Sequence, residues 1–95
     1  MEVVLERCAG LDVHKKTVVA CAITPAGKET RTFGTMTDDL RRLGDWLQER
    51  RISEAAMESS GVYWQPVFNV LEEMGLVLLV ANARHIRQYQ DVRQT

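Results

Sequence analysis

Two acidic residues, each at the end of an apolar segment, are the features of this sequence whose type and position could do chemistry. Asp12 closes the first such segment, and Glu58 closes a later one before the turn-forming residues 59–61. Two neighbouring carboxylates repel each other unless a proton or a cation lies between them. Carboxylate oxygens suit Mg²⁺, whose octahedron is commonly completed by water and substrate phosphates. If the fold brings the two acids together, the sequence predicts a site for Mg²⁺ or Mn²⁺.

Each acid by itself has an ordinary structural explanation. An aspartate after a strand often forms a turn, and a glutamate before a glycine turn is often a solvated strand end. The metal-site prediction for Asp12 and Glu58 therefore depends on their joint position, which the surrounding elements must create.

The first third of the sequence has the character of three strands. Val3 to Val13 and Thr17 to Thr24 are rich in apolar and β-branched residues, and Glu29 to Thr35 follows a Pro-Ala-Gly-Lys turn. The gap of three residues, His14 to Lys16, cannot hold a crossover helix. The first two strands should therefore form an antiparallel hairpin.

Helices and strands alternate in the remaining two thirds. A helical repeat of apolar residues, with Thr37 as the expected N-cap, follows the third strand. Next come a strand at Ile52–Glu58, a helix at Val62–Met74 and a strand at Leu76–Ala81 that its composition predicts to be fully buried. The residues of the first repeat are Met36, Leu40, Leu43 and Leu47.

This order, β-β-β-α-β-α-β, predicts an α/β fold with a mixed five-stranded sheet in a single domain, residues 1–95. Right-handed crossovers would make the fourth strand parallel to the first. Because carboxyl ends of parallel strands meet at one edge of a sheet, Asp12 and Glu58 should emerge side by side.

Basic residues follow two of the strands at the same predicted edge. His14, Lys15 and Lys16 come directly after Asp12, and Arg84, His85 and Arg87 come after the last strand. Both groups are either solvated loops or contacts to the phosphates of a nucleic acid. Tyr63 and Trp64, after the Glu58 turn, either pack on the sheet or touch a nucleic acid or a partner chain.

Overall composition limits the function classes. The hydrophobic fraction is 45% and the formal net charge is -1, so only a local patch could bind a polyanion. No apolar segment reaches the ~18–20 residues of a membrane span, and the first residues lack the pattern of a signal peptide. Cys8 and Cys21 are expected to be small buried hydrophobes, with a disulfide between neighbouring strands as the alternative. A cytoplasmic location is the expectation.

Three segments carry a resemblance to a known family: "GLDVHKKTVVACAI", "AMESSGVYWQPVFNVLEEMG" and "VLLVANARHIRQ". The sequence resembles the N-terminal domain of transposases of the IS110 type. Those domains are similar to the RuvC resolvase and so to the ribonuclease H fold. The resemblance implies a recombinase that cleaves and rejoins DNA with a divalent metal, Mg²⁺ or Mn²⁺.

The family's acidic tetrad, Asp-Glu-Asp-Asp, is matched here in its first two members, Asp12 and Glu58. Asp91 lacks the Asp-x-x-Asp spacing of the last two, so it is not assigned to the tetrad. The chain is thus expected to stop before the last acidic segment, to lack the final helix, to bind metal weakly and to be inactive alone. The resemblance also implies DNA as a partner, guide RNA for some members and a homo-oligomer.

Two other classes stay open at this point. Phosphotransferases of the actin and sugar-kinase type also begin with a strand, an aspartate and a hairpin. Their hairpin needs small residues for backbone contact with phosphate, whereas His14–Lys16 is bulky. The chain could instead be a non-catalytic assembly or binding module that pairs through exposed strand edges or an uncovered face.

Overall fold

The computed structural model describes residues 7–59 and 61–81 of the chain. Its elements have the predicted order of three strands followed by alternating helices and strands. They are β1 (Cys8–Val13), β2 (Thr17–Thr24), β3 (Gly27–Gly34), α1 (Thr37–Glu49), β4 (Glu54–Ser59), α2 (Trp64–Glu73) and β5 (Val77–Ala81).

The strands form one five-stranded mixed sheet in the order β3-β2-β1-β4-β5. β1 pairs with β2 and β2 with β3 in antiparallel fashion, because the turns between them are too short for any other connection. β1 pairs with β4 and β4 with β5 in parallel fashion, because α1 and α2 supply the crossovers. The predicted α/β fold and the parallel pairing of the first and fourth strands are confirmed.

Both helices pack on the same face of the sheet. Alternate residues of the strands, such as Leu11 and Met57, are buried against apolar residues of the helices. Leu43 of α1 and Leu71 of α2 are completely buried in this layer. The hydrophobic core is therefore one layer, formed between one face of the sheet and two helices.

Arg50, at the C-terminal end of α1, connects that helix to the edge strand β3. Its guanidinium group donates hydrogen bonds of 2.8 and 3.0 Å to the two carboxylate oxygens of Glu29 and one of 2.9 Å to the carbonyl of Trp46. It also lies 4.4 Å from the centroid of the Trp46 ring. The hydrogen bonds from Arg50 lower the pKa of Glu29, and the same bonds raise the pKa of Arg50.

The opposite face of the sheet is not covered by any helix among the described residues. β5 was predicted to be fully buried, and this prediction is wrong: Val77 and Leu79 are 62% and 69% exposed. The apolar composition of β5 suits a parallel strand with cover on both faces, whereas α2 covers one face only.

Several predicted boundaries differ from the structure. Met36, in extended conformation, is the N-cap of α1, and no side chain caps the helix, so the assignment of Thr37 as N-cap is wrong. The carbonyl of Met36 accepts the first helical hydrogen bond, from the N–H of Leu40, at 2.9 Å. The predicted beginning of the first strand, residues 3–6, lies outside the described residues.

Candidate metal centre on the open face of the sheet

Asp12 and Glu58 are register partners in the parallel pairing of β1 with β4. Neighbouring strands lie about 4.8 Å apart, and residues at paired positions point to the same side of the sheet. Both acids therefore lie at the carboxyl edge, on the face opposite the helices. The structure brings the two predicted ligands together, while their role as metal ligands stays a prediction.

The two carboxylates lie at one end of a groove in the open face. The middle of the groove has small residues, Gly10 on β1 and Ala56 on β4, and larger residues of β2 and β5 flank them on either side. The part next to the acids has a volume of about 440 Å³ and is also lined by Leu11, Val19, Cys21, Met57, Leu79 and Ala81.

The groove continues along β4 and β5 toward the opposite edge of the sheet. This second part has a volume of about 500 Å³ and ends near Glu54. Cys8 lines this part and Cys21 lines the first part. Both cysteines are free and only half-buried, so neither the expectation of two buried hydrophobes nor the disulfide alternative describes them.

His14 is in direct contact with Asp12. Its Nε2 atom lies 3.0 Å from Oδ2 of Asp12. The backbone N–H of His14 donates a hydrogen bond of 2.8 Å to the carbonyl of Thr17, which closes the turn between β1 and β2. This turn therefore holds the imidazole beside one oxygen of the carboxylate.

Lys15 and Lys16 are exposed in the same turn. The hydroxyl of Thr35 donates a hydrogen bond of 3.4 Å to the carbonyl of Lys15, so the turn is connected to the loop after β3. Positive charge therefore lies at the edge of the sheet that carries the two acids. The other predicted basic residues, Arg84, His85 and Arg87, lie outside the described residues.

The candidate metal centre offers two carboxylates from this part of the chain. Within residues 7–59 and 61–81, no three His, Cys, Asp or Glu side chains lie close enough together to hold a metal ion. Two carboxylates fit the hard-oxygen chemistry of Mg²⁺, which typically takes its remaining ligands from water and phosphate. The donor set thus suits an ion that is shared with a phosphorylated substrate.

The exposed apolar side chains at the same edge were not predicted from the sequence. Met36 precedes α1 and Val62 precedes α2, and both are largely exposed. The sequence placed Met36 in the apolar repeat of the first helix and Val62 at the start of the second, whereas each lies before its helix begins in the structure. The signal that could have separated them is their position next to the strand ends, where loops run over the carboxyl edge.

Comparison with solved structures places the fold in a known class. T. thermophilus RuvC, in complex with a Holliday junction substrate, matches with a TM-score of 0.57 and 13% identity over 86% of this chain and 68% of that chain. A Bacteroides thetaiotaomicron protein with an actin-like ATPase fold and unknown function matches with a TM-score of 0.59 and 14% identity. That match covers 86% of this chain and 36% of the other. A comparison with curated proteins finds no match.

These similarities define a RuvC-like, ribonuclease-H-like fold, and at such identities they show the fold alone. The sequence decides the family. Residues 9–95 match the profile of the DEDD transposases of the IS110 type, so the chain belongs to this transposase family. No helix within the described part of the chain is both long and apolar enough to cross a membrane.

Proposed function

We propose that this domain uses Asp12 and Glu58 to bind a divalent metal ion, Mg²⁺ or Mn²⁺, for the cleavage and rejoining of DNA during transposition. The observation that carries the proposal is the register pairing of the two acids on the open face of the sheet. A strand holds a ligand more rigidly than a loop does, so two adjacent strands fix both carboxylates.

The bound metal would supply charge stabilisation at the phosphodiester and an activated oxygen nucleophile. The residues of this chain have simpler tasks. Asp12 and Glu58 orient the ion, and His14 holds one oxygen of Asp12 in place through the 3.0 Å contact. Lys15 and Lys16 provide contacts to the backbone phosphates on either side.

Further ligands are needed for full activity, and the family name implies four acids. The groove beside the two carboxylates is the site at which a segment with additional acids would pack. Its floor of Gly10 and Ala56 leaves space for a close approach. The two carboxylates of the described residues are therefore proposed to share the ion with further oxygen ligands from water, phosphate or other acids.

One observation supports a particular kind of DNA partner. The RuvC structure in the comparison is in complex with a Holliday junction substrate. We therefore propose branched DNA as the substrate, with Arg84, His85 and Arg87 as additional phosphate contacts. A guide RNA, a homo-oligomer and a cytoplasmic location are further expectations that come from the family.

The direct test is metal binding monitored by thermal unfolding. Mn²⁺ is expected to raise the Tm of the wild-type chain, and Asp12→Asn or Glu58→Gln is expected to remove that increase. Glu54→Gln is the matched control, because Glu54 is an exposed acid on the same face of β4 at the opposite edge. An Asp12→Asn variant that keeps the full increase would show that the proposed site is wrong.

A test of ATP binding distinguishes this proposal from the phosphotransferase alternative. The fold is shared with a protein that has an actin-like ATPase fold and unknown function, so fold similarity does not distinguish the two classes. The turn of His14, Lys15 and Lys16 lacks the small residues that bring backbone amides to a phosphate. We expect no increase in Tm with Mg²⁺-ATP beyond that with Mg²⁺, and a clear increase would favour the phosphotransferase.

A further inference from the structure

Large apolar side chains are exposed in two different regions of the described chain. Those of one group, Ile23, Val77 and Leu79, belong to strands and lie on the open face. Those of the other group, Met36, Val62 and Tyr63, lie in loops at the carboxyl edge. A sheet face can be covered by another layer of the fold, whereas exposed apolar residues in loops beside a site suit contact with its substrate.

Tyr63 differs sharply from its neighbour Trp64. The Trp64 ring packs edge-to-face on Phe68, with the centroids 5.8 Å apart, and both rings lie against the hydrophobic core. Tyr63 is 39% exposed, and Val62 before it is 75% exposed. Packing therefore explains Trp64, but it does not explain why two apolar side chains lead into α2 at the surface.

The turn after β4 determines where these two side chains lie. Gly61 has a φ angle of 85°, a conformation that glycine adopts at little cost, and α2 begins shortly after it. Tyr63 is five positions beyond Glu58, which limits their separation to at most about 17 Å. Nucleotides next to a phosphate at the metal centre can therefore reach this loop.

We propose that Val62 and Tyr63 contact unstacked bases next to the cleaved phosphate, so that the site selects DNA with unpaired bases over continuous duplex. An aromatic ring stacks on any base, without sequence preference. Apolar side chains can also insert between base pairs that are already unstacked. A continuous duplex presents its phosphates outside and keeps its bases stacked, so it offers this loop little. The inference rests on the proposed function, and it specifies the substrate class of the same site.

The basic turn (His14, Lys15 and Lys16) and the apolar loop (Val62 and Tyr63) would then have separate roles in binding. Lys15 and Lys16 contact phosphates, which strengthens binding to every DNA and makes it dependent on salt. Tyr63 contacts bases, which strengthens binding only where a base is free. Variants of the two groups should therefore affect affinity and selectivity independently.

The experiment measures equilibrium binding to two labelled DNAs, a continuous duplex and the same duplex with a short single-stranded gap. Ca²⁺ replaces Mg²⁺ so that binding is measured without cleavage. Wild type should prefer the gapped DNA, and Tyr63→Ala should reduce that preference about fivefold to a hundredfold, the range that stacking of a base on a ring supplies. Tyr63→Phe should keep the preference, because the ring remains.

Lys16→Ala is the matched control and should weaken binding to both DNAs equally, with a salt slope smaller by about one. The inference is overturned if wild type binds both DNAs equally, if Tyr63→Ala keeps the preference, or if Tyr63→Phe loses it. Absence of binding to either DNA by the wild type would instead contradict the proposed function, and the inference with it. Thermal unfolding of Tyr63→Ala checks that the fold is retained.

Discussion

Asp12 lies opposite Glu58 in the parallel pairing of β1 with β4, and both line the groove on the face that no described helix covers. Like charges at paired positions of a sheet destabilise it. The metal-free domain therefore contains two acids whose mutual repulsion a divalent cation would relieve. The same pair should lower the stability of the fold and create its affinity for metal.

Removal of one of these charges should stabilise the metal-free protein. For Glu58→Gln, which leaves the contact between Asp12 and His14 intact, we expect an increase of about 0.2–1 kcal/mol in the free energy of unfolding at low ionic strength, since a cross-strand repulsion is removed. Urea unfolding in the presence of a chelator measures this change. Added salt should reduce the difference, because screening weakens the repulsion in the wild type. A loss of stability in the variant would contradict the expected repulsion.

Two glycines should respond oppositely to substitution by alanine. A Cβ atom at Gly10 would meet no atom within 4 Å, so Gly10→Ala should stabilise the chain by about 0.5–1 kcal/mol. A Cβ atom at Gly75 would also meet no atom within 4 Å, but Gly75 has a φ angle of 94°, so Gly75→Ala should destabilise the chain by about 1–2 kcal/mol. Urea unfolding of both variants checks the two signs, and similar effects in both would contradict the different backbone conformations of the two glycines.

Leucines that lie against the two faces of the sheet should differ in their contribution to stability. Leu71 of α2 is completely buried between its helix and the sheet, and its replacement by alanine should cost about 2–5 kcal/mol because a cavity remains. Leu79 is exposed, and Leu79→Ala should change stability by about 0.5 kcal/mol or less. Equal losses in chemical unfolding would mean that the open face is covered in solution.

The Glu29–Arg50 pair should make stability fall in acid. Its hydrogen bonds with Arg50 lower the pKa of Glu29 from the ordinary value of 4.5. A carboxylate with a lowered pKa in the folded state contributes stability above that ordinary value, and the contribution is lost as the pH falls through the folded-state pKa. In Glu29→Gln the Tm should therefore decrease less between pH 7 and acid than in the wild type. An unchanged acid dependence would show that the pair does not contribute.

Local sequence rules predicted the features that depend on chain connectivity. The three-residue turn His14–Lys16 forces an antiparallel pair, and the helices after β3 and β4 allow parallel pairing. These two constraints place Asp12 beside Glu58, so the candidate metal centre followed from connection lengths and the handedness of crossovers.

Features that depend on what packs against a strand or helix were not predictable from local sequence rules. The composition of β5 suits a strand buried on both faces, but burial depends on what packs against it, and Leu79 remains exposed. The helix start was also misplaced, because a backbone contact from Leu40 to Met36 begins α1 without any capping side chain. Likewise, Val62 was predicted to begin the second helix, whereas it lies in the loop before α2.

Alkylation of the two free cysteines can report whether this groove is occupied. Cys21 lines the part beside the acids and Cys8 lines the other part, so both are within reach of a small alkylating reagent. Their rate of alkylation should fall when a helix, a second protein or a hydrophobic dye occupies the groove. Mass spectrometry could therefore detect an occupant without any mutation or label, and the ratio of the two rates would show which half it covers.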